Sequence, residues 1–413
     1  MPYLILDPVG KYPSQLLRFL GGQLGRAAVA VFTSPGRYLL WRDNWQAELG
    51  RYVVDTYLAS KTTSAALAAE IHARHPQIDG VVPWDEETVL LGARLSDLLG
   101  LGWNSLDVLE RCRDKAVMKA WLRGKTRARI NASKIVTDGE GAMAFQRSVN
   151  RWPIVVKPTA GSGSEAVYFP SNDAELLRDC QRVMQSGRGE VLLEEYIGGA
   201  ELVINGVVDG ASDLLVTDVW HYDRRSSHGV PNLFHQTYKI PTSSSVFTRV
   251  GRYAAEIVEA LELRRCPIHM EVKVDDRGPC LIEVGARFPG GNLSILASKL
   301  HGRSLLELAA CHYLAELPLT GRDLDYARYD HYEARVLHGV QSHRVSPIRR
   351  VVGADEVRAL PSFDEFGKLR PIGTSAPVTR DLETAAWELY LIHPDARQIN
   401  ADAERVFKLL RYE

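Results

Sequence analysis

Residues 269–288 read HMEVKVDDRGPCLIEVGARF, and in them polar and apolar residues alternate on both sides of a turn signal. Alternation with a period of two predicts a β-hairpin with one polar and one apolar face. If Asp276–Gly278 is a three-residue loop with Gly278 at positive φ, Glu271 pairs directly with Glu283 across the hairpin. The hairpin then places two carboxylates against each other on its polar face.

Two like charges that are directly opposed across strands destabilise a sheet unless something neutralises them. Divalent cations between Glu271 and Glu283 would do so. Mg²⁺ prefers such oxygen ligands, and phosphate oxygens can complete its shell. A register shift of one residue would separate the two acids, and they could then not share a cation. The pair is therefore a candidate metal site that depends on the register.

A second segment, residues 154–169 (IVVKPTAGSGSEAVYF), has a strand pattern that ends at Lys157, a loop of small residues and a return to β-forming residues. Its Gly-x-Gly-x-x-Ala string matches a dinucleotide-binding site, but that site needs a helix after the glycines, and here a strand pattern follows. A P-loop string is absent. Two interpretations of this segment remain. It is either a flap that closes over phosphates with backbone N–H groups, or a surface hairpin whose lysine is solvated. The candidate flap residues are Gly161, Ser162, Gly163 and Ser164.

Two further segments carry candidate nucleotide contacts. RDKAVMK puts Lys115 on a predicted helix, where a lone lysine is usually solvated. In VLLEEYIGGAE, Glu194 and Glu195 end an apolar strand. The open backbone of such a strand end can pair with an adenine edge, and the acid seven residues after the first, Glu201, can accept from ribose hydroxyls. Paired glutamates also occur simply as solvated polar caps.

The run VWHYDRRSSHGVPNLFHQ (219–236) holds three histidines beside aromatic residues. We predict that it lines a substrate pocket through His221 and His235, although a histidine of this kind more often packs against the protein or faces solvent. Beyond Arg287 the chain has Gly290 and Gly291. The glycines either leave room for a substrate or serve a turn with positive φ.

Composition limits the class of protein. The 413 residues carry a net charge of −1, which excludes a global field that attracts nucleic acid or anionic lipid. No stretch approaches the roughly 18 consecutive apolar residues of a membrane helix. The five cysteines are scattered, with no C-x-x-C pair, as is usual in a reducing compartment. These features predict a cytoplasmic protein without nucleic-acid or membrane partners.

The first hundred residues alternate strand and helix patterns, which predicts a parallel sheet with helices on its faces. Later segments mix helices with hairpins, so the predicted fold class is α/β together with α+β. We divide the chain into four parts: an N-terminal α/β domain (1–104), a small subdomain with the flap (105–190), a large subdomain with the metal hairpin (191–325) and a C-terminal lobe (326–413).

In the order in which they occur between residues 110 and 300, these segments resemble the ATP-grasp superfamily. The resemblance implies an ATP-grasp fold behind a Rossmann-like, pre-ATP-grasp N-terminal domain. It implies ATP contacts from Lys115, Lys157, the flap and the hinge residues Glu194, Glu195 and Ile197, with Glu201 at the ribose. It also implies Mg²⁺ ligands at Glu271 and Glu283, and catalytic roles on the transferred phosphoryl group for Arg287 and Lys157.

Within that superfamily, IEVGARFPGG (282–291) is similar to the Glu-x-x-x-Arg-Phe-x-Gly signature of the L-amino acid ligases. Gly285 stands where many other ATP-grasp enzymes have the asparagine of a Glu-x-Asn string, which puts a third protein ligand for metal in doubt. Near the C-terminus, VVGADEVRALPSF (351–363) resembles the small closing lobe of those ligases.

The resemblance implies an ATP-dependent ligase that joins a small carboxylate, such as an amino acid, to an amine through an acyl phosphate and releases ADP and phosphate. The implied cofactors are ATP and two Mg²⁺ ions, with Mn²⁺ as a substitute. The implied partners are the two small-molecule substrates, and a homodimer is one option for the assembly. Two alternatives stay open: an ATP-grasp enzyme with a non-amine acceptor, such as a kinase, and a nucleotide-binding regulator without turnover.

Overall fold

The structure is a computed structural model that describes residues 1–159, 166–186, 189–314 and 324–413. The predicted phosphate flap, with Gly161, Ser162, Gly163 and Ser164, lies outside the described residues. In the part of the chain that is described, no helix is both long enough and apolar enough to cross a membrane.

The N-terminal residues form the parallel sheet that the alternating patterns predicted. Its strands are β1 (Tyr3–Leu6), β2 (Ala28–Phe32), β3 (Val53–Leu58) and β4 (Val81–Val82), in the order β3-β2-β1-β4. The helices around it are α1 (Lys11–Leu17), α2 (Pro35–Asn44), α3 (Gln46–Leu49), α4 (Ser64–Arg74) and α5 (Val89–Leu99), with short 3₁₀ or π turns at Arg18–Gln23, Gly50–Tyr52 and Ala59–Lys61. In β1, Tyr3 and Ile5 enter one core whereas Leu4 and Leu6 enter another. Both faces of the sheet are covered, so the strand is apolar throughout.

A small antiparallel sheet follows. It is preceded by α6 (Leu106–Arg113) and α7 (Lys115–Arg123) and built from β5 (Ser133–Val136), β6 (Ile154–Lys157) and β7 (Val191–Glu195) in the order β5-β7-β6, with α8 (Gly139–Val149) and α9 (Asp173–Ser186) packed on it. The helix predicted around 105–124 is divided at Asp114, whose carboxylate caps α7 by accepting from the N–H groups of Ala116 and Val117. The cap makes Lys115 the first residue of α7.

The largest sheet has eight strands, all paired antiparallel. Its first five strands are β8 (Ala200–Val208), β9 (Leu214–Ser227), β10 (Val230–Lys239), β11 (Cys266–Asp275) and β12 (Gly278–Gly285). The helices that follow or cover them are α10 (Ser245–Leu261), α11 (Leu293–His301), α12 (Leu305–Tyr313) and α13 (Tyr326–His331). The apolar side of α10 enters the same core as the fully buried Trp220 of β9.

The C-terminal strands continue this sheet. They are β13 (Glu333–His338), β15 (Phe363–Leu369) and β16 (Trp387–His393), and the full order is β12-β11-β8-β9-β10-β13-β16-β15. The remaining elements are β14 (Val351–Val352), α14 (Ala354–Arg358), α15 (Ala396–Leu409) and β17 (Arg411–Tyr412). This part has a small core of its own around Leu389 and Val406. Its sheet is nevertheless shared with residues 200–285, and the four domain boundaries drawn from the sequence stay predictions.

The β11–β12 hairpin pairs Glu271 with Glu283, as predicted, but reaches this register by a different route. The predicted three-residue loop is wrong, because Asp275 already pairs with Gly278 and the loop has only two residues. If the register that pairs Asp275 with Gly278 continued along the hairpin, Glu271 would lie opposite Ile282. A β-bulge next to Glu271 moves the partner by one residue and restores the pair of acids.

Candidate active site

A cavity of about 510 Å³ lies where the small sheet, the large sheet and the C-terminal strands meet. Nearly all of the site residues predicted from the sequence that the structure describes contribute to its wall. They are Lys115, Lys157, Glu194, Glu195, Glu201, Glu271, Glu283, Arg287 and Gly291, together with Ile197. Segments separated by up to about 180 residues in the chain thus converge on one cavity, and only His221 and His235 are missing from it.

The two opposed acids of the hairpin are electrostatically unequal. Burial, followed by repulsion from Glu283 and Glu201, raises the pKa of Glu271 well above its ordinary value. Burial also acts on Glu283, but Lys115, whose Nζ lies 2.8 Å away, and Lys157 together hold the pKa of Glu283 below its ordinary value. Of the two acids, Glu271 is therefore the one without an ion-pair contact to a lysine or arginine.

The acid pair suits a magnesium ion that also binds phosphate. Within the described residues no group of three or more His, Cys, Asp or Glu side chains is arranged to hold a metal. Mg²⁺, however, is usually held by one or two carboxylates and completes its shell with water and substrate phosphates. A cation beside Glu271 and Glu283 would also relieve the repulsion that raises the pKa of Glu271.

His269 lies on the same polar face of the hairpin as Glu271, as the alternation of the sequence predicted. Its Nδ1 lies 2.9 Å from Asn205 Oδ1, and the Asn205 amide donates to Asp218 at 2.6 Å. Because the amide oxygen can only accept, His269 carries its proton on Nδ1. Burial and then Arg287 lower the pKa of His269 to about 3, so the ring is neutral. Its Nε2, 3.8 Å from Glu271, faces the acid pair with a free lone pair.

A buried ion triad holds Lys157, the second lysine that we predicted to contact ATP. Lys119 Nζ lies 2.6 Å from Glu194 Oε1, and Lys157 Nζ lies 2.9 Å from Glu194 Oε2. Burial alone would raise the pKa of Glu194, but the two lysines lower it to about 2. Both oxygens of the Glu194 carboxylate are thus engaged, so the adenine contact that we predicted at the hinge is left to its backbone.

Lys119 is a site residue that the sequence analysis missed. It is fully buried, and burial lowers its pKa to about 8 although Glu194 counteracts the effect. The signal was present in RDKAVMK, because Lys119 follows Lys115 by one helical turn and shares its face of α7. An exposed helix would show the same spacing, so only the burial reveals the role.

Replacing Lys119 by Met should lower the free energy of unfolding by about 3 kcal/mol, because it leaves Glu194 buried with one cation instead of two. Urea unfolding checks this value. The matched control is Lys408→Met, in an exposed pair with Glu404 at 3.9 Å, where the expected loss is below about 0.5 kcal/mol. Equal losses in the two variants would mean that the triad does not stabilise the small sheet.

The proposed ribose position is charged and ordered. Glu201 accepts from Arg224 Nε at 2.8 Å and lies 3.4 Å from Lys273 Nζ. The Arg224 guanidinium stacks over Phe234, with its carbon 3.9 Å from the ring centroid. Both Arg224 and Phe234 come from the run 219–236 that we predicted to line the pocket.

The histidines of that run do not reach the cavity. His221 stacks on Tyr238 at 4.6 Å, and His235 stacks on Phe407 of α15 at 4.2 Å. Side chains alternate between the two faces of a strand, and Tyr222, Arg224 and Phe234 take the cavity side. We therefore correct the prediction: the run contributes to the pocket, but through its other residues.

Two glycines close to Arg287 in the chain, Gly285 and Gly291, have different structural roles. Arg287 Nε donates to Glu86 at 2.8 Å, and a Cβ on Gly285 would stand 3.2 Å from Arg287 Cγ. Where other ATP-grasp enzymes have asparagine, the missing side chain thus leaves space for the arginine. Gly291 has a φ of 65°, which serves the turn. A Cβ there would still stand only 3.9 Å from the side-chain oxygens of Glu388 and Tyr390, inside the cavity wall.

The end of the cavity next to the hinge has flat apolar walls that suit a purine. Ile197 is buried, and the rings of Phe169 and Tyr196 meet edge to face at 5.9 Å. The backbone carbonyl of Glu195 accepts from Asn131 at 2.9 Å, and its carboxylate pairs with Arg277 at 2.9 Å. The side chains of both hinge glutamates are therefore held by the protein itself.

Comparisons with known proteins agree with this geometry. Residues 150–295 match the family model of the ATP-grasp domain. The chain is similar to dapdiamide A synthase of Enterobacter agglomerans, with 25% identity over 240 residues, which are 56% of this chain and 56% of that protein. It is also similar to the small subunit of 2-oxoglutarate carboxylase of Hydrogenobacter thermophilus, with 26% identity over 42% of this chain and 38% of that protein. The chain thus spans about half, or less, of the length of these relatives.

Solved structures extend the likeness over the whole chain. The L-amino acid ligase of Bacillus licheniformis superposes with a TM-score of 0.75 at 16% identity, covering 100% of this chain and 98% of that one. Phosphoribosylglycinamide synthetase of Anaerococcus prevotii gives 0.70 at 14% identity, with coverages of 100% and 99%. At such identities the likeness establishes the fold. ATP-grasp enzymes in general use ATP and Mg²⁺, and the cavity has groups suited to both. The chain carries an ATP-grasp domain and has the ATP-grasp fold throughout.

Proposed function

We propose that the protein is an ADP-forming, ATP-dependent carboxylate–amine ligase that joins small molecules, amino acids in the first instance. The observation that carries the proposal is the meeting of Glu271, Glu283, Lys115, Lys157 and Arg287 around one cavity. The similarity to dapdiamide A synthase and to an L-amino acid ligase supports it.

In the first step, a carboxylate oxygen of the acid attacks the γ-phosphorus of ATP, the bond to the bridging oxygen breaks, and ADP leaves. The carboxylate, whose own leaving group would be oxide, becomes an acyl phosphate with phosphate as a good leaving group. In the second step, an amine attacks the acyl carbon, the carbon–oxygen bond breaks, and phosphate departs. The protein's contribution is alignment and neutralisation of charge.

The residues divide this work by position. Lys115 and Lys157 face the phosphates, held by Glu283 and Glu194 respectively. The planar fork of Arg287 suits the transferred phosphoryl group and the negative oxygen that follows on the acyl carbon. Glu271 and Glu283 would hold Mg²⁺, which when bound neutralises phosphate charge. Two ions, Mn²⁺ as a substitute, a homodimeric assembly and a cytoplasmic location stay predictions.

The nucleotide product should be ADP with stoichiometric phosphate, because the lysines, the arginine and the acid pair line one cavity, in which we place the terminal phosphate of ATP. We expect this result when pairs of amino acids and small acids are screened with Mg²⁺-ATP for nucleotide release and for coupled products by mass spectrometry. Release of AMP and pyrophosphate would contradict the mechanism. ADP release without a coupled nitrogen-containing product would instead indicate a non-amine acceptor.

A further inference from the structure

One wall of the cavity carries a carboxylate that the phosphoryl chemistry does not use. Glu388 projects from β16, between β13 and β15, and its side chain is only 14% exposed. It lines the cavity opposite the turn at Gly291, four residues after Arg287. A buried acid is thus close to the position where the acyl phosphate would form.

Hydrogen bonds fix the orientation of this carboxylate. The Tyr390 hydroxyl donates to Glu388 Oε1. Because an ionised carboxylate can only accept, the one proton of the phenol is directed at Glu388. Oε1 is therefore satisfied by the protein, whereas Oε2 is directed elsewhere.

The neighbour of Oε2 is a second buried polar group. His338 Nδ1 lies 3.5 Å from it, beyond hydrogen-bond reach, and His338 is only 4% exposed. Nδ1 has no hydrogen-bond partner among the described residues. Burial, followed by Arg224, lowers the pKa of His338 to about 3, so the ring is neutral. A carboxylate oxygen and a buried ring nitrogen, 3.5 Å apart, thus face one part of the cavity, and within the described residues neither takes part in a hydrogen bond.

Apart from Glu271, which belongs to the proposed metal pair, the other buried glutamates of the cavity have cationic partners, but Glu388 does not. Glu194, Glu201 and Glu283 each pair with a lysine or an arginine. In the part of the chain that is described, no lysine or arginine forms an ion pair with Glu388. Burial raises the pKa of Glu388, although Lys368, its cross-strand partner on β15, and Lys11 act against burial without forming an ion pair with it. A buried carboxylate without a counter-ion is costly, so a cationic ligand is the partner that this wall accommodates.

We propose that Glu388 binds the ammonium group of the acceptor amine and removes its proton before attack on the acyl phosphate. This inference rests on the proposed ligase function. Glu388 Oε2 receives an ammonium hydrogen beside His338, while Tyr390 is a positioning residue that holds the carboxylate. The substrate class that follows is an amine that is charged at neutral pH.

The step balances in atoms and charge. One ammonium proton passes to Glu388, and the free amine attacks the acyl carbon, forming the carbon–nitrogen bond. The carbon–oxygen bond to phosphate breaks with its electron pair. A second nitrogen proton goes to the departing phosphate, which leaves an amide, hydrogen phosphate and a protonated Glu388 that returns its proton to solvent.

Glu388→Gln tests the inference, since glutamine keeps the shape and can still accept from Tyr390 but cannot take a proton. With an acid and amine pair found active in the screen, amide formation should fall roughly 100-fold or more, as expected for loss of a general base. Hydroxylamine, a neutral nucleophile near pH 7, should still trap the acyl phosphate as hydroxamate at a rate within about twofold of wild type. Mg²⁺-ATP affinity should be unchanged. The matched control is Glu365→Gln, a half-buried carboxylate on the neighbouring strand β15 that does not line the cavity and pairs with Lys11 and Lys299, and it should behave as wild type.

The outcomes separate the inference from the function on which it rests. Unchanged amide formation in Glu388→Gln overturns the inference alone, and so does loss of hydroxamate together with the amide while ATP still binds. A wild-type protein that forms neither product overturns the ligase function itself. If Glu388→Gln does not fold, Tyr390→Phe replaces it: a rise in the KM of the amine, with hydroxamate formation unchanged, supports the positioning role, and an unchanged KM contradicts it.

Discussion

Glu283→Gln should lower kcat about 1,000-fold while leaving the protein folded, because it removes one of two candidate metal ligands and almost no volume. In the variant, Glu271 loses the repulsion of its neighbour and can ionise to pair with Lys115. The free energy of unfolding without Mg²⁺ should therefore change by less than about 1 kcal/mol. Steady-state turnover at increasing Mg²⁺ and urea unfolding in EDTA measure the two quantities.

The matched control for this variant is Asp276→Asn, which removes an exposed carboxylate from the loop of the same hairpin and should leave both quantities unchanged. Near-normal turnover of Glu283→Gln at saturating Mg²⁺ would contradict a metal role for the acid pair. In wild-type protein, EDTA should abolish turnover, and added Mg²⁺ should restore it.

Lys157→Ala should reduce kcat/KM for ATP by a factor of roughly 100 to 1,000, the usual effect of removing a charge directed at a phosphate. The loss also leaves Glu194 with Lys119 alone, so a lower unfolding midpoint is expected as well. Lys134→Ala, an exposed lysine on the neighbouring β5, is the control and should have neither effect. Kinetics at subsaturating ATP and thermal unfolding give both values.

An unchanged kcat/KM in Lys157→Ala would mean that Lys157 does not act on ATP and has only a structural role at the hinge. The same result with a lowered unfolding midpoint would mean that the Glu194 triad stabilises the small sheet without contacting phosphate. The two readouts therefore separate binding from stability at one residue.

The sequence was most informative where local periodicity determines position. Alternation in 269–288 correctly paired Glu271 with Glu283, yet the expected loop was one residue too long and a bulge compensated for the difference. Loop length and bulges depend on backbone geometry that alternation does not encode. The parallel N-terminal sheet followed from strand–helix alternation for the same local reason.

Contacts between distant segments could not be predicted from the sequence. The strand that carries Glu388 pairs with β13, and this pairing follows from the folded sheet rather than from any motif. Lys119 has the spacing of an ordinary solvated lysine, and only burial reveals the triad with Glu194. His221 and His235 were assigned to the pocket by composition, but the alternation of β9 and β10 directs their neighbours there instead.

Transfer of oxygen from the acid to phosphate tests the central claim, activation of a carboxylate as an acyl phosphate. The acid found active in the screen is labelled with ¹⁸O in its carboxylate and incubated with Mg²⁺-ATP and the amine, and the released phosphate is analysed by mass spectrometry. The mechanism predicts one ¹⁸O atom in each phosphate formed and none in ADP. Unlabelled phosphate, or label recovered in AMP, would contradict it.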